Sequence, residues 1–194
     1  MKKGSMNQFG KYAGIIIMIA AIELVFFVLL SQHLYPNYSL NDNYISDLGV
    51  GSTATIFNPA IQFFGVLLIV GSYFLFKSAR RYSALGFFIA ALGGIGVGTF
   101  PETTGAPHII SALIVFGSIC VLCLAFSRVF KKPLAYYSLA AGLLALIVLS
   151  ISVMNMLGAQ VHLPLGHGGV EEILFYDELI WAFVVGISYV KGRI

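Results

Sequence analysis

Residues 13–30 read AGIIIMIAAIELVFFVLL, and Glu23 is the one side chain in the stretch that ionises. At 1.5 Å per residue a helix of this length rises about 27 Å, close to the ~30 Å of hydrocarbon in a bilayer. Lys2, Lys3 and Lys11 stand before it, which gives the outline of a signal peptide. Glu23 breaks that outline, and no small-x-small cleavage site follows, so the stretch is read as the first membrane span.

Working outward, five more apolar runs follow, over about residues 59–76, 82–99, 107–126, 134–157 and 172–190. Each is long enough to span. The composition agrees: 59% of the 194 residues are hydrophobic and 10% charged, with a mean hydropathy of +0.93. A soluble domain has roughly 45–50% apolar and about 25% charged residues. The expected architecture is all-α, a single six-helix transmembrane domain over 1–194.

The charges predict an orientation. All eleven basic residues fall before the first run, in the second and fourth connections (Lys77, Arg80, Arg81; Arg128, Lys131, Lys132) or in the tail (Lys191, Arg193). Six spans place these segments on one side, and the positive-inside rule makes that side, with both termini, cytoplasmic. The same bias explains the net charge of +3 without nucleic acid.

Apart from Glu23, everything acidic gathers toward the other side: Asp42 and Asp47 in the first outer loop, Glu102 in the second, Glu171 and Glu172 in the third, and Asp177 and Glu178 just inside the last helix. His33, His108, His162 and His167 fall there too. The densest polar patch is Asn43-Tyr44-Ile45-Ser46-Asp47-Leu48-Gly49. Its bland reading is a turn in which Ser and Asx side chains satisfy nearby backbone groups. Its functional reading makes Asp47 a carboxylate of a headgroup-level pocket, with Asn43, Tyr44 and Ser46 as hydrogen-bond partners. Glu102 and His108 bracket a loop too short to leave the membrane surface, and the reading places both in the same pocket. Asn58 and Glu171 complete the expected ligand-binding set of Ser46, Asp47, Asn58, Glu102, His108 and Glu171.

Other features narrow the chemistry. His162 and His167 lack the one-face spacing of a helical zinc motif, so a metal site would have to be assembled from His108, His162 and His167. Glu23, near mid-bilayer, is either a proton-coupling group or a neutral bridge between helices. Cys120 and Cys123 read as small packing residues. Ala90, Gly94 and Gly98 form a small-xxx-small face on the third helix, which is expected to be central. Pro59 and Pro107 fit the first positions of the second and fourth helices. No intramembrane Lys or Arg, nucleophile elbow or P-loop occurs, which excludes a retinal Schiff base, an arginine voltage sensor and those hydrolase classes.

Asn43 to Gly49, then Phe57-Asn58-Pro59, then Gly98-Thr99-Phe100-Pro101-Glu102 with His108 and Ala112 resemble the prokaryotic six-helix membrane family called domain of unknown function 998. The resemblance implies a prokaryotic cell-membrane protein and supplies no activity. The family pattern has an acid followed by Arg at the start of helix six, whereas Glu172 follows Glu171 here, so the ion pair it implies lacks its cation. More distantly, the Ile-Ser-Asp and Pro-Glu pieces are similar to the Frag1/DRAM/Sfk1 membrane proteins, some of which are linked to lipid remodelling.

Three functions are expected from these readings. The first is binding of a lipid headgroup or small ligand in an outward-facing acidic and histidine pocket. The others are a metal-dependent hydrolase acting on lipid, with Asp47 or Glu102 activating water, and a small transporter coupled through Glu23 or a subunit of a membrane complex. Membrane lipid is the expected partner, alone or with further copies of the chain; no cofactor is assigned.

Overall fold

The computed structural model describes residues 8–159, 161 and 164–194. Lys2, Lys3 and His162 lie outside these residues. Six α-helices follow in order: α1 Gln8–Leu34, α2 Ala54–Lys77, α3 Arg81–Thr99, α4 Ala106–Phe126, α5 Leu134–Met156 and α6 Gly166–Val190. No strand occurs among the described residues. All six helices are long and apolar enough to cross a membrane. Each packs on the next, and α6 closes the ring against α1.

The core of the ring is built on α6. Trp181, fully buried, stacks on Phe87 of α3 at 6.3 Å and meets Phe126 of α4 edge-on at 5.4 Å. Its Nε1–H donates to Ser138 Oγ of α5 at 2.8 Å, and Ser138 Oγ donates to the Cys123 carbonyl of α4 at 2.7 Å. A buried indole N–H and a buried hydroxyl are thus both satisfied, as burial requires. Cys120 and Cys123 are free and buried.

Three differences from the sequence reading have physical reasons. More than half of α6's span is buried, against less than a quarter of α5's, so α6 is the enclosed helix where α3 was expected. The glycines of α3 instead serve two neighbours: Gly94 and Gly98 face α2, while Gly93 meets the α4 backbone. Second, α2 begins at Ala54, with Pro59 inside it. Proline there removes a single bond, to the Thr55 carbonyl, and the helix start is held by other means. Thr53 Oγ1 donates to the Leu48 carbonyl at 2.8 Å and Asn58 Nδ2 to the Gly49 carbonyl at 3.0 Å. Pro107 does lie at the start of α4.

Third, α6 begins at Gly166 instead of 172. The Gly168 N–H donates to the Asn41 carbonyl at 3.0 Å, and a methyl group at Gly168 would collide with the carbonyls of Asn43 and Leu40. The glycines look like a loop in sequence. They are the surface on which the 40–43 backbone docks.

Candidate functional site

The site is assembled by the short helical turn Ile45–Gly49, which lies against α2, the start of α6 and the Glu102–Thr104 turn that leads into α4. Asp47 folds this turn. Its Oδ2 accepts from Asn43 Nδ2 and from the Tyr44 backbone N–H, both at 3.0 Å. The turn is tied to α6 by the Ile45 N–H, which donates to Glu171 Oε2 at 2.6 Å. It is tied to the Glu102–Thr104 turn by Ser46 Oγ, which donates to Glu102 Oε2 at 3.2 Å.

His108, buried in the first turns of α4, has its Nδ1 2.8 Å from the Phe100 carbonyl. A carbonyl can only accept, so Nδ1 carries the proton and Nε2 is left for other partners.

Some of these groups border a cavity of about 340 Å³. Tyr44, Ser46, Glu102, His108 and Glu171 line one part of it. The rest is apolar apart from Ser152, whose hydroxyl donates to the Val148 carbonyl: Ile109, Ala112, Leu113 and Phe116 come from α4, Leu149, Val153 and Met156 from α5, and Leu174 from α6. Its electrostatics are acidic yet restrained. Burial, then the hydrogen bond and charge of the neighbouring Asp47 carboxylate, push the Glu102 pKa above the ordinary value of 4.5, with the Ser46 bond opposing. Burial and the carboxylates of Glu171, Glu102 and Asp47 also raise the Tyr44 phenol, which therefore remains a neutral hydrogen-bond donor.

A family model described as "Protein of unknown function (DUF998)" matches residues 18–188. The chain belongs to this family. It is an integral membrane protein of unknown function, and no curated protein and no solved structure matches it. The DUF998 match takes in every residue that lines the cavity.

The residues singled out in sequence divide into three groups. Ser46, Glu102, His108 and Glu171 come together at the cavity wall. Asp47 and Asn58 do not line it: Asp47 caps the turn and acts on Glu102, and Asn58 tethers α2 to Gly49. Glu23 is elsewhere, on α1, with neither carboxylate oxygen hydrogen-bonded. Glu178, two turns along α6 from Glu171, does not line the cavity. It is 2% exposed and lines a separate void of about 30 Å³.

His167 packs its ring on Tyr44 at 4.7 Å and is not part of the cavity wall. His162 lies outside the described residues, and among those described no three His, Cys, Asp or Glu side chains gather as metal ligands.

Sequence reasoning missed two features of this DUF998 chain. The α5 wall was one, since nothing separates Leu149 and Val153 from the lipid-facing residues beside them. The other is a polar cluster behind Glu171: Glu172 Oε1 accepts from Gln32 Nε2 at 2.6 Å and from Tyr38 OH at 3.0 Å. Two uncharged donors, one from the end of α1 and one from the segment after it, thus hold Glu172. Gln32 and Tyr38, polar groups just outside the first apolar run, were the available signal.

Proposed function

We propose that this protein binds an amphiphile, with an amine- or hydroxyl-bearing headgroup at Glu102, His108, Glu171 and Tyr44 and its apolar tail between α4 and α5. The observation that supports this reading is the division of one cavity into a polar wall drawn from four separate chain segments and an apolar wall drawn from three helices. Ligand sites commonly combine an apolar lining with a few convergent polar groups. Two carboxyl groups and a neutral phenol, with no Lys or Arg among the lining residues, favour a hydroxyl or amine over a bare phosphate.

The packing of α4 on α5 supports a path for the tail. At one end the helices are joined by Ser138 to Cys123 and by Cys120 Sγ, 3.5 Å from the Gly142 carbonyl, where Gly142 lies directly on Leu124. The cavity occupies the other end of the same helix pair. An opening there would face the bilayer and admit a lipid sideways. With the basic residues taken as cytoplasmic, the headgroup wall faces the extracytoplasmic side of a prokaryotic cell membrane.

The test is native mass spectrometry of the gently solubilised full chain. A lipid-sized adduct is expected on the wild type, weakened in Glu102→Gln and His108→Ala and lost in Ala112→Phe, which fills the apolar wall. Identical adducts on all four proteins, or none on any, would refute the reading.

A further inference from the structure

The opposite end of the bundle carries a different chemistry. The turn between α2 and α3 places Lys77, Arg80 and Arg81 within five residues. None of the eight acidic residues of the chain (Glu23, Asp42, Asp47, Glu102, Glu171, Glu172, Asp177 and Glu178) belongs to a connection at this end.

Two of the three cations are held over aromatic rings. Lys77 Nζ lies 5.5 Å from the centroid of Tyr73, and Arg81 Cζ lies 5.8 Å from that of Phe76. Such contacts orient a charge without neutralising it.

Those rings line an apolar groove of about 400 Å³ between α2 and α3, with Arg81 also in its wall. A second groove of about 590 Å³ runs between α3 and α4. Leu85, 57% exposed, lines both and forms the ridge that divides them. The floor of the second groove is shaped by two glycines. Gly86 lets Leu122 approach α3 closely, and Gly117 leaves open space where a side chain would stand.

We propose that this corner binds one anionic phospholipid, its phosphate at Lys77 and Arg81 and its two acyl chains in the grooves on either side of Leu85. The choice of occupant follows from charge. A second copy of the chain in the same membrane orientation would bring its own basic end to this one, so cation would meet cation. A zwitterionic lipid would fit the grooves and leave the two cations without a net counter-charge. An anionic lipid satisfies both the apolar grooves and the basic mouth, and each surface cation contributes a recognisable share of such binding.

The experiment is native mass spectrometry of the full chain equilibrated with equal amounts of phosphatidylglycerol and phosphatidylcholine carrying identical acyl chains. The wild type is expected to retain phosphatidylglycerol in excess, by roughly fivefold per cation and about 25-fold for the pair. Lys77→Gln/Arg81→Gln should bring the ratio to parity, whereas Lys77→Arg/Arg81→Lys should keep most of the excess. Gly117→Leu should lower retention of both lipids by filling the second groove. Equal retention by the wild type, an undiminished excess in the double glutamine variant, or dimers in place of lipid adducts would each overturn the proposal.

Discussion

A methyl group added at two glycines should have opposite effects, and the difference can be worked from the packing of α3 on α4. At Gly93 a Cβ would stand 2.5 Å from the Val115 amide nitrogen and 2.9 Å from the Ser111 carbonyl oxygen. Both are backbone atoms of α4, so no rotamer change relieves the clash and the helices must separate. Overpacking of this kind costs ~1–3 kcal/mol, while replacing glycine by alanine in a helix interior gains ~0.8–1 kcal/mol. Because the obstacle is backbone, the upper half of the overpacking range applies, and Gly93→Ala should lose about 1–2 kcal/mol.

At Gly117 nothing lies within 4 Å of the added atom. Only the propensity gain remains there, so Gly117→Ala should be stabilised by up to ~1 kcal/mol. For a chain of this length 1 kcal/mol corresponds to roughly 2–4 °C in Tm. Thermal unfolding in one detergent should therefore show Gly93→Ala melting several degrees below the wild type and Gly117→Ala at or above it. Ser111 and Val115 flank Ala112 in the cavity wall, so Gly93→Ala should also weaken ligand retention. A Gly93→Ala protein as stable as the wild type, or a Gly117→Ala protein destabilised to the same degree, would refute the reasoning.

The Glu102 pKa is raised by burial and by Asp47, so the folded state favours its protonated form. The resulting stability is present in full below the ordinary value of 4.5 and is lost as pH rises through the folded value; Glu102→Gln should flatten a plot of Tm against pH over that window. Retention of an amine-bearing ligand should run the other way, rising through the same window as the carboxylate ionises, and a titration of adduct intensity checks the sign. Ser138→Ala strands the fully buried Trp181 N–H and should cost ~1–3 kcal/mol by thermal unfolding. Gly168→Ala pushes α6 off the carbonyls of Asn43 and Leu40; it should cost about 1–3 kcal/mol and weaken retention together with stability.

The helices were legible because a span must be both long and apolar, a demand few other elements meet. The convergence of Glu102 and His108 was legible for a related reason, since a loop as short as Phe100 to Pro107 cannot carry its polar groups away. Where the reading departed from the structure, the deciding contact lay outside the segment being read. Pro59 looks like a helix start until the Thr53 and Asn58 tethers to the preceding turn are seen. Gly166 to Gly169 look like a loop until the 40–43 backbone lies against them. The α5 wall was hidden by the membrane itself: a residue facing an apolar cavity and one facing lipid obey the same preference, so hydrophobic periodicity does not separate them.

Adjacent helical residues point about 100° apart, which lets Glu171 and Glu172 serve two different neighbours from one turn of α6. Glu171 holds the Ile45 N–H and faces the cavity, while Glu172 collects Gln32 and Tyr38. The start of α6 is thereby anchored to both the first loop and α1, and the polar wall of the cavity stands on a braced element. The facing wall is different. The span of α5 is the least buried of the six, and its side-chain bonds to α4, through Ser138 and to Gly142, lie toward the end remote from the cavity. Ligand binding should therefore change the mobility of α5 and leave α6 much as it was. Hydrogen exchange of the solubilised protein, with and without bound amphiphile, tests this directly. Protection should concentrate on backbone amides of residues 149–156, where local opening is least opposed. Protection gained mainly at 168–174, with 149–156 unchanged, would place the movable wall on α6 and remove the sideways path between α4 and α5.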